Sequence, residues 1–280
     1  MIKLEKDSNG IINIDNLNVN VDMFRPDRCG LKFVKDETRY FFKRCGKEET
    51  FKEIFASKVA NKMGIEHASY DIATFGDNEG VVCNAVNKQD EEFISFGQIR
   101  NKLKISYRYD DSIDTMKKKI LPKIRLFNSE EELDKFINVF IFDILMANSD
   151  RNYGNTGFIK KGNNYRFSPL FDNEDIVSSN AIDEHIYSFQ VVNRKFDGLN
   201  HDPIIDFFKN KNYGYLLSDA IDNFNLEDLY DLVEEINQIY PNKFDKDNEI
   251  YVLSELKRNL QILKEYRYDY YNEAKMLRRK

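Results

Sequence analysis

The chain is 280 residues long, 41% hydrophobic and 32% charged, with 42 Lys and Arg against 48 Asp and Glu, a net charge of -6. That is enough apolar material for a core under a solvated surface, which excludes a wholly disordered chain, and the acidic balance speaks against coating nucleic acid as the main task. The three cysteines, Cys29, Cys45 and Cys83, have no paired spacing and indicate neither a disulfide framework nor a zinc site.

Residues 11–14 (IINI), 31–34 (LKFV) and 39–43 (RYFFK) are short and rich in β-branched and aromatic residues, and Asp27, Gly30, Asp36 and Glu37 punctuate them as turn formers. They predict strands. After Gly46 the period becomes helical: Thr50 and Glu53 form a capping-box signature, and Phe51, Ile54, Phe55, Lys58, Val59 and Met63 follow at helical spacing up to Gly64 at the C′ position. Residues 68–74 and 80–86 (GVVCNAV) read as strands again, so residues 1–90 are expected to form an antiparallel sheet with one helix. The remainder reads as mainly helical, with a boundary expected around residues 87–95. Ser129 and Glu132 form a second capping box, and Leu133, Phe136, Ile137, Phe140, Ile141, Ile144 and Leu145 make one apolar stripe on a helix ending near Ala147–Ser149. A loop (150–155), two short strands (about 156–160 and 164–168) and helical patterns at 203–210, 226–239 and about 247–275 complete the chain. The start, MIKLEKDSNG, has no apolar stretch of the kind that opens a secretory signal. The run Phe136 to Ala147, broken by Asn138 and Asp143, is too short to span a bilayer, so a soluble cytoplasmic protein with no membrane partner is expected.

Two segments carry chemistry. Asn148 to Asn155 reads NSDRNYGN, and Pro169 to Glu174 reads PLFDNE. A buried helix delivers the first as a polar loop, and a hairpin returns Asp172 beside it. An Asp (Asp150), an Asn five residues later (Asn155) and a further Asp (Asp172) suit phosphoryl transfer from ATP. One carboxylate orients the attacking hydroxyl and takes its proton, while the Asn and the second Asp hold magnesium through oxygen. Taken alone, the loop is equally a helix exit followed by a hairpin of ordinary turn residues.

The N-terminal features tip that balance. Lys43 closes a strand that would be central in the sheet, where a lysine can reach ATP phosphates and pair with a helix glutamate. Glu53 is the obvious partner, although it is also the second half of the Thr50 capping box; Glu48 and Glu49 are the alternatives. The extended segment at Val82, Cys83, Asn84 and Ala85 could hold adenine through its backbone, and a plain buried strand would look the same. Residues 25–32 (RPDRCGLK) could cover the phosphates, with Gly30 allowing close approach, in the absence of a G-x-G-x-x-G or Walker A motif. His67, His185 and His201 show no metal or triad spacing, and Cys45 and Cys83 read as core residues. The basic stretches Lys117–Lys119 and Lys275–Lys280 read as solvated faces.

NSDRNYGN, PLFDNE, the helix Thr50–Met63 with MGIEHASYDIA after it, and GVVCNAVNK together resemble the HipA-like serine/threonine kinases, in their compact, CtkA-like form. The resemblance implies an α+β, bilobal protein-kinase-like fold, with a small antiparallel-sheet N-lobe over residues 1–90 and a mainly helical C-lobe over 91–280. It implies Asp150 as the catalytic aspartate, Asn155 and Asp172 as the Mg2+ ligands, Lys43 as the ATP-phosphate lysine, and Arg151 and Asn152 as loop support. Asn152 stands where the family loop usually carries His, and Glu174 where compact members often carry Gly. Neither departure removes an oxygen ligand. The implied activity is transfer of the ATP γ-phosphoryl group to a protein Ser or Thr hydroxyl, with an antitoxin-like protein partner and no direct nucleic-acid binding. The rival readings are a kinase-fold binding module without transfer and a small-molecule or lipid kinase.

Overall fold

The computed structural model describes residues 2–25, 30–102, 104, 130–148, 151, 154–177, 219–221 and 224–277. Alternating apolar residues build the first layer: β1 (Ile12–Asn13), β2 (Asn20–Arg25), β3 (Gly30–Lys35), β4 (Thr38–Arg44), β5 (Tyr70–Phe75) and β6 (Asn78–Asn84) form one sheet in the order β1-β5-β6-β4-β3-β2. Every pairing is antiparallel except β1 with β5. The period of two separates the faces. Leu31, Phe33, Tyr40, Phe42, Ala73 and Val82 pack with Ile2, Leu4, Ile12 and Ile14 on one side, while Tyr70, Ile72, Val81 and Cys83 join a second core on the other. The strand β2 escapes the sequence pattern because a bulge between Val21 and Met23 breaks its alternation.

Helix α1 (Lys47–Lys62) covers that second face, and residues 50 to 57 of its middle turns are buried. Its N-cap is Gly46, with no side-chain cap, and Glu48 and Glu49 occupy the first turn, where the helix dipole favours acid. The helix therefore starts before the predicted capping box, Thr50 lies inside it, and Glu53 is released from any capping role. Gly64, at φ 71, turns the chain out of the helix as its position predicts.

Beyond β6, residues 92–95 form a strand, β7 (Glu92–Ser95), within the segment read as a boundary, and α2 (Phe96–Lys102) follows it. Helix α3 (Glu130–Met146) and the hairpin of β8 (Gly157–Lys161) and β9 (Asn164–Phe167) match the predicted order, with β7 joining the hairpin in a sheet ordered β7-β8-β9. The capping box at Ser129 and the helical pattern at 203–210 fall outside the described residues. Helix α4 (Leu226–Ile239) begins with a capping box made by Asn225 and Asp228. It packs on α1, where Lys58 meets Glu235 at 2.6 Å and Lys62 meets Asp228 at 2.7 Å. Helix α5 (Lys246–Leu277) packs on α3, and Asn259 Nδ2 donates to the Leu145 carbonyl. One apolar core thus runs from α1 and its sheet into α3, α4 and α5. No helix among the described residues is long and apolar enough to cross a membrane.

Gly80 on β6 lies beside the end of β4, and a Cβ there would fall 2.0 Å from the Lys43 carbonyl oxygen and 2.8 Å from Arg44 Cα. Backbone cannot retreat as a side chain can. Gly80→Ala should therefore lower the unfolding free energy by about 2–3 kcal/mol in a urea titration. Gly162→Ala, in the open β8–β9 turn at φ 59, should cost only about 1 kcal/mol. Equal losses would contradict the close approach.

Candidate functional site

Strand β4 lies between β3 and β6, so the sheet holds Lys43 from both sides, opposite Gly30 on β3 and Val81 on β6. The chain turns at once into α1, whose second turn brings Glu53 under the strand. Lys43 Nζ lies 3.5 Å from Glu53 Oε1, 2.5 Å from Asp172 Oδ1 and 2.7 Å from Glu174 Oε2. The Glu53 side chain is 0% exposed, and its other oxygen, Oε2, accepts the Asn173 N–H at 2.8 Å. Neither Glu48 nor Glu49 is the partner; Glu48 pairs with Lys52 instead.

The segment carrying Asp172 is pinned from behind. Leu170 exchanges backbone bonds with residues 66–68, as Leu170 N–H donates to the Glu66 carbonyl and Ala68 N–H to the Leu170 carbonyl, each at 2.8 Å. Two residues on, the Asp172 N–H donates to Tyr70 Oη at 3.0 Å. Asp172 itself is left-handed, at φ 59, a conformation a non-glycine residue keeps only where its surroundings impose it.

Electrostatics follow from burial. Desolvation alone would push the Lys43 ammonium down, but the Asp172 and Glu53 carboxylates outweigh it and raise the group above its ordinary value. Burial pushes the Glu53 carboxyl up to about 7 against the pull of Lys43. Burial also pushes the Cys45 thiol up to about 11 and raises Cys83 further, so both sit as neutral thiols, as expected of core residues rather than nucleophiles.

Arg151 reaches away from its own loop, to α3 and to the segment that carries Asp172. Its side chain is 1% exposed. Nε and Nη2 donate to the two oxygens of Asp143, each at 3.1 Å, Nη1 donates to the Phe171 carbonyl at 2.6 Å, and Nη2 also donates to Asn173 Oδ1 at 2.5 Å. Asp143 takes a further bond from Asn148 Nδ2 at 2.9 Å. The planar fork of one arginine therefore ties α3 to both residues flanking Asp172. Sequence reasoning missed Asp143, Asn173 and Tyr70. The available signal was Asp143, a lone carboxylate in the apolar stripe of the helix that delivers the loop, which demands a cation.

The remaining expected residues fall unevenly. Asn155 is buried at the entrance to β8. Asp150 and Asn152 lie outside the described residues, as do residues 26–29. Gly30 begins β3 rather than sitting in the loop, and a Cβ there would press on the Phe41 ring at 3.3 Å, so its small size serves ring packing. Val82 and Cys83 lie in ladders with both β4 and β5, and the Ala85 N–H goes to the Arg39 carbonyl. Asn84 differs. It is the last residue of β6 and follows Cys83, the partner of the first β5 residue, Tyr70; its side-chain Oδ1 is buried with no hydrogen-bond partner among the described residues.

The carboxylates gathered here offer oxygen donors alone and already enclose one cation, the Lys43 ammonium. Carboxylate oxygens of Glu53, Asp172 and Glu174 lie within 4.8 Å of one another, Asp172 is 39% exposed, and no sulfur or imidazole belongs to the group. Magnesium takes such oxygen ligands and keeps part of its water.

Residues 18–205 match the family model of the HipA-like C-terminal domain. The fold is similar to that of the Helicobacter pylori proinflammatory kinase CtkA, with a TM-score of 0.70 at 16% identity over 92% of this chain and 98% of that one. It is also similar to HipA of Shewanella oneidensis MR-1, from a toxin–antitoxin complex with HipB and operator DNA, with a TM-score of 0.57 at 14% identity over 90% of this chain and 65% of that one. These likenesses establish a kinase-like α+β fold. Comparison with curated protein sequences finds no match.

Replacing Arg151 by Ala leaves Asp143 buried without its cation and should cost about 3–5 kcal/mol of unfolding free energy. Arg151→Lys keeps the charge but cannot span Asp143, Phe171 and Asn173 together, and should recover only part of the loss. A lysine variant as stable as wild type in urea would contradict the fork's role.

Proposed function

Because the chain belongs to the HipA-like C-terminal domain family, we propose that it is an ATP- and Mg2+-dependent serine/threonine protein kinase. The observation that carries this reading is the meeting of Lys43 with both Glu53 and Asp172, which unites a strand lysine, a helix glutamate and an acidic segment after a hairpin. Phosphoryl transfer asks little covalent chemistry of the protein and depends on positioning and charge neutralisation. Lys43 would neutralise the α/β-phosphates while Glu53 holds its side chain in the cleft between the two lobes. Asn84 would meet the adenine edge. Asn155 and Asp172 would hold magnesium, which when bound spreads the charge of the phosphates. Asp150 would orient a protein Ser or Thr hydroxyl. The hydroxyl oxygen bonds to the γ-phosphorus as the bond to the β,γ-bridging oxygen breaks, its proton passes to Asp150, and ADP leaves. Arg151 would act through Phe171 and Asn173, holding Asp172 in register with Asn155. An antitoxin-like protein partner is part of the proposal, supported by the HipB complex of the Shewanella protein.

The second reading, a nucleotide-binding module without transfer, draws support from Glu174, whose carboxylate occupies Lys43. Magnesium-dependent consumption of ATP separates the two. Purified chain incubated with magnesium, γ-labelled ATP and a generic basic protein should label that protein or itself. Lys43→Met and Asp172→Ala should each lower the label by at least about a hundredfold, with an unchanged circular dichroism spectrum. Wild-type labelling by Asp172→Ala would overturn the kinase reading.

A further inference from the structure

A lysine ammonium offers three hydrogen-bond donors and no acceptor. At Lys43 there are three carboxylates for those three donors: Glu53, Asp172 and Glu174. In a kinase the same ammonium must serve the phosphates of ATP, so nucleotide cannot engage Lys43 until one carboxylate leaves.

The three are not equally able to go. Glu53 is enclosed in α1, fully buried, and tied through its second oxygen to Asn173 N–H. Asp172 sits on a backbone fixed by Tyr70 and by the bonds of Leu170, and its short side chain has little reach. Glu174 has a longer side chain, and it opens onto a groove of about 610 Å³ shared with Arg44, Gly46, Glu49, Asp77 and Glu79. The groove is rich in carboxylates, which keeps Glu174 on Lys43 when no other anion is present, and Arg44 is among the residues that line it. Coulomb attraction to a half-buried lysine is the strongest contact open to it.

We propose that Glu174 is a built-in competitor of the nucleotide: its carboxylate holds the phosphate-binding donor of Lys43 in the free protein and must swing into the groove before ATP can bind. This rests on the nucleotide-binding reading above. It gives the residue a role a glycine could not fill, since a glycine would leave Lys43 with an open donor. Competition of this kind acts on phosphate, not on adenosine, because only the phosphates claim the donor that Glu174 holds.

The test is calorimetric titration of the whole chain, with magnesium present, against a non-hydrolysable ATP analogue and separately against adenosine. Glu174→Ala should bind the analogue about tenfold more tightly than wild type, Glu174→Gln should fall between, and adenosine should bind all three alike. Equal affinity for the analogue across the three proteins would overturn the inference and leave the nucleotide site standing. Weaker analogue binding by Glu174→Ala would overturn it by making Glu174 a supporter of phosphate or metal. Failure of wild type and both variants to bind either compound would overturn the nucleotide site, and the inference with it.

Discussion

A half-buried ammonium surrounded by carboxylates is the interaction on which the rest of the site depends. Removing Lys43 from water is costly, and the cost is met only because Glu53, Asp172 and Glu174 converge on it. That requirement joins three segments distant in sequence: the end of a central strand, the second turn of the helix after it, and the chain leaving the β8–β9 hairpin. Glu53 and Asp172 are the members fixed in place, the first by the Asn173 N–H and the second by the Tyr70 hydroxyl. Glu53 without Lys43 would be a fully buried acid, and Lys43 without them would be a desolvated cation.

A second ionic knot stands behind the first. Arg151 and Asp143 form a bidentate pair in the core, and Arg151 gives two further donors to Phe171 and Asn173, the neighbours of Asp172. Asn173 belongs to both knots, because its N–H goes to Glu53 and its side-chain oxygen to Arg151. The left-handed backbone of Asp172 is held between them. Helix α4 closes the arrangement from outside by packing on α1, with Tyr240 Oη donating to Asp71 at 2.7 Å next to Tyr70. The contacts that hold Glu53 in place therefore extend as far along the chain as Tyr240.

Much of this was legible in the residues. Period-two runs mark β3 to β6, and helical spacing marks α1, α3 and α4, because each has one face that must be buried. Lys43, Glu53 and Asp172 could be named because residue type and order are themselves informative for phosphoryl chemistry. What escaped depended on long-range geometry. Thr50 and Glu53 have capping-box spacing wherever a helix begins, and only the actual start at Gly46 removes that meaning. The commitment of Val82 and Cys83 to both neighbouring strands depends on register, which a run of apolar residues does not specify. Glu174 could be read as a charge near the metal segment, but its contact with Lys43 depends on how the hairpin returns. Asp143 looked like an interruption until its partner eight residues on was in place.

Lys43 and Glu53 act as one unit that organises the site, and a double-mutant cycle measures how strongly they are joined. Unfolding free energies of wild type, Lys43→Met, Glu53→Gln and the double variant, measured in urea, isolate the coupling between the two side chains. The two losses should fail to add, with a coupling of at least about 1 kcal/mol. Losses that add to within about 0.5 kcal/mol would show two independent residues and contradict it.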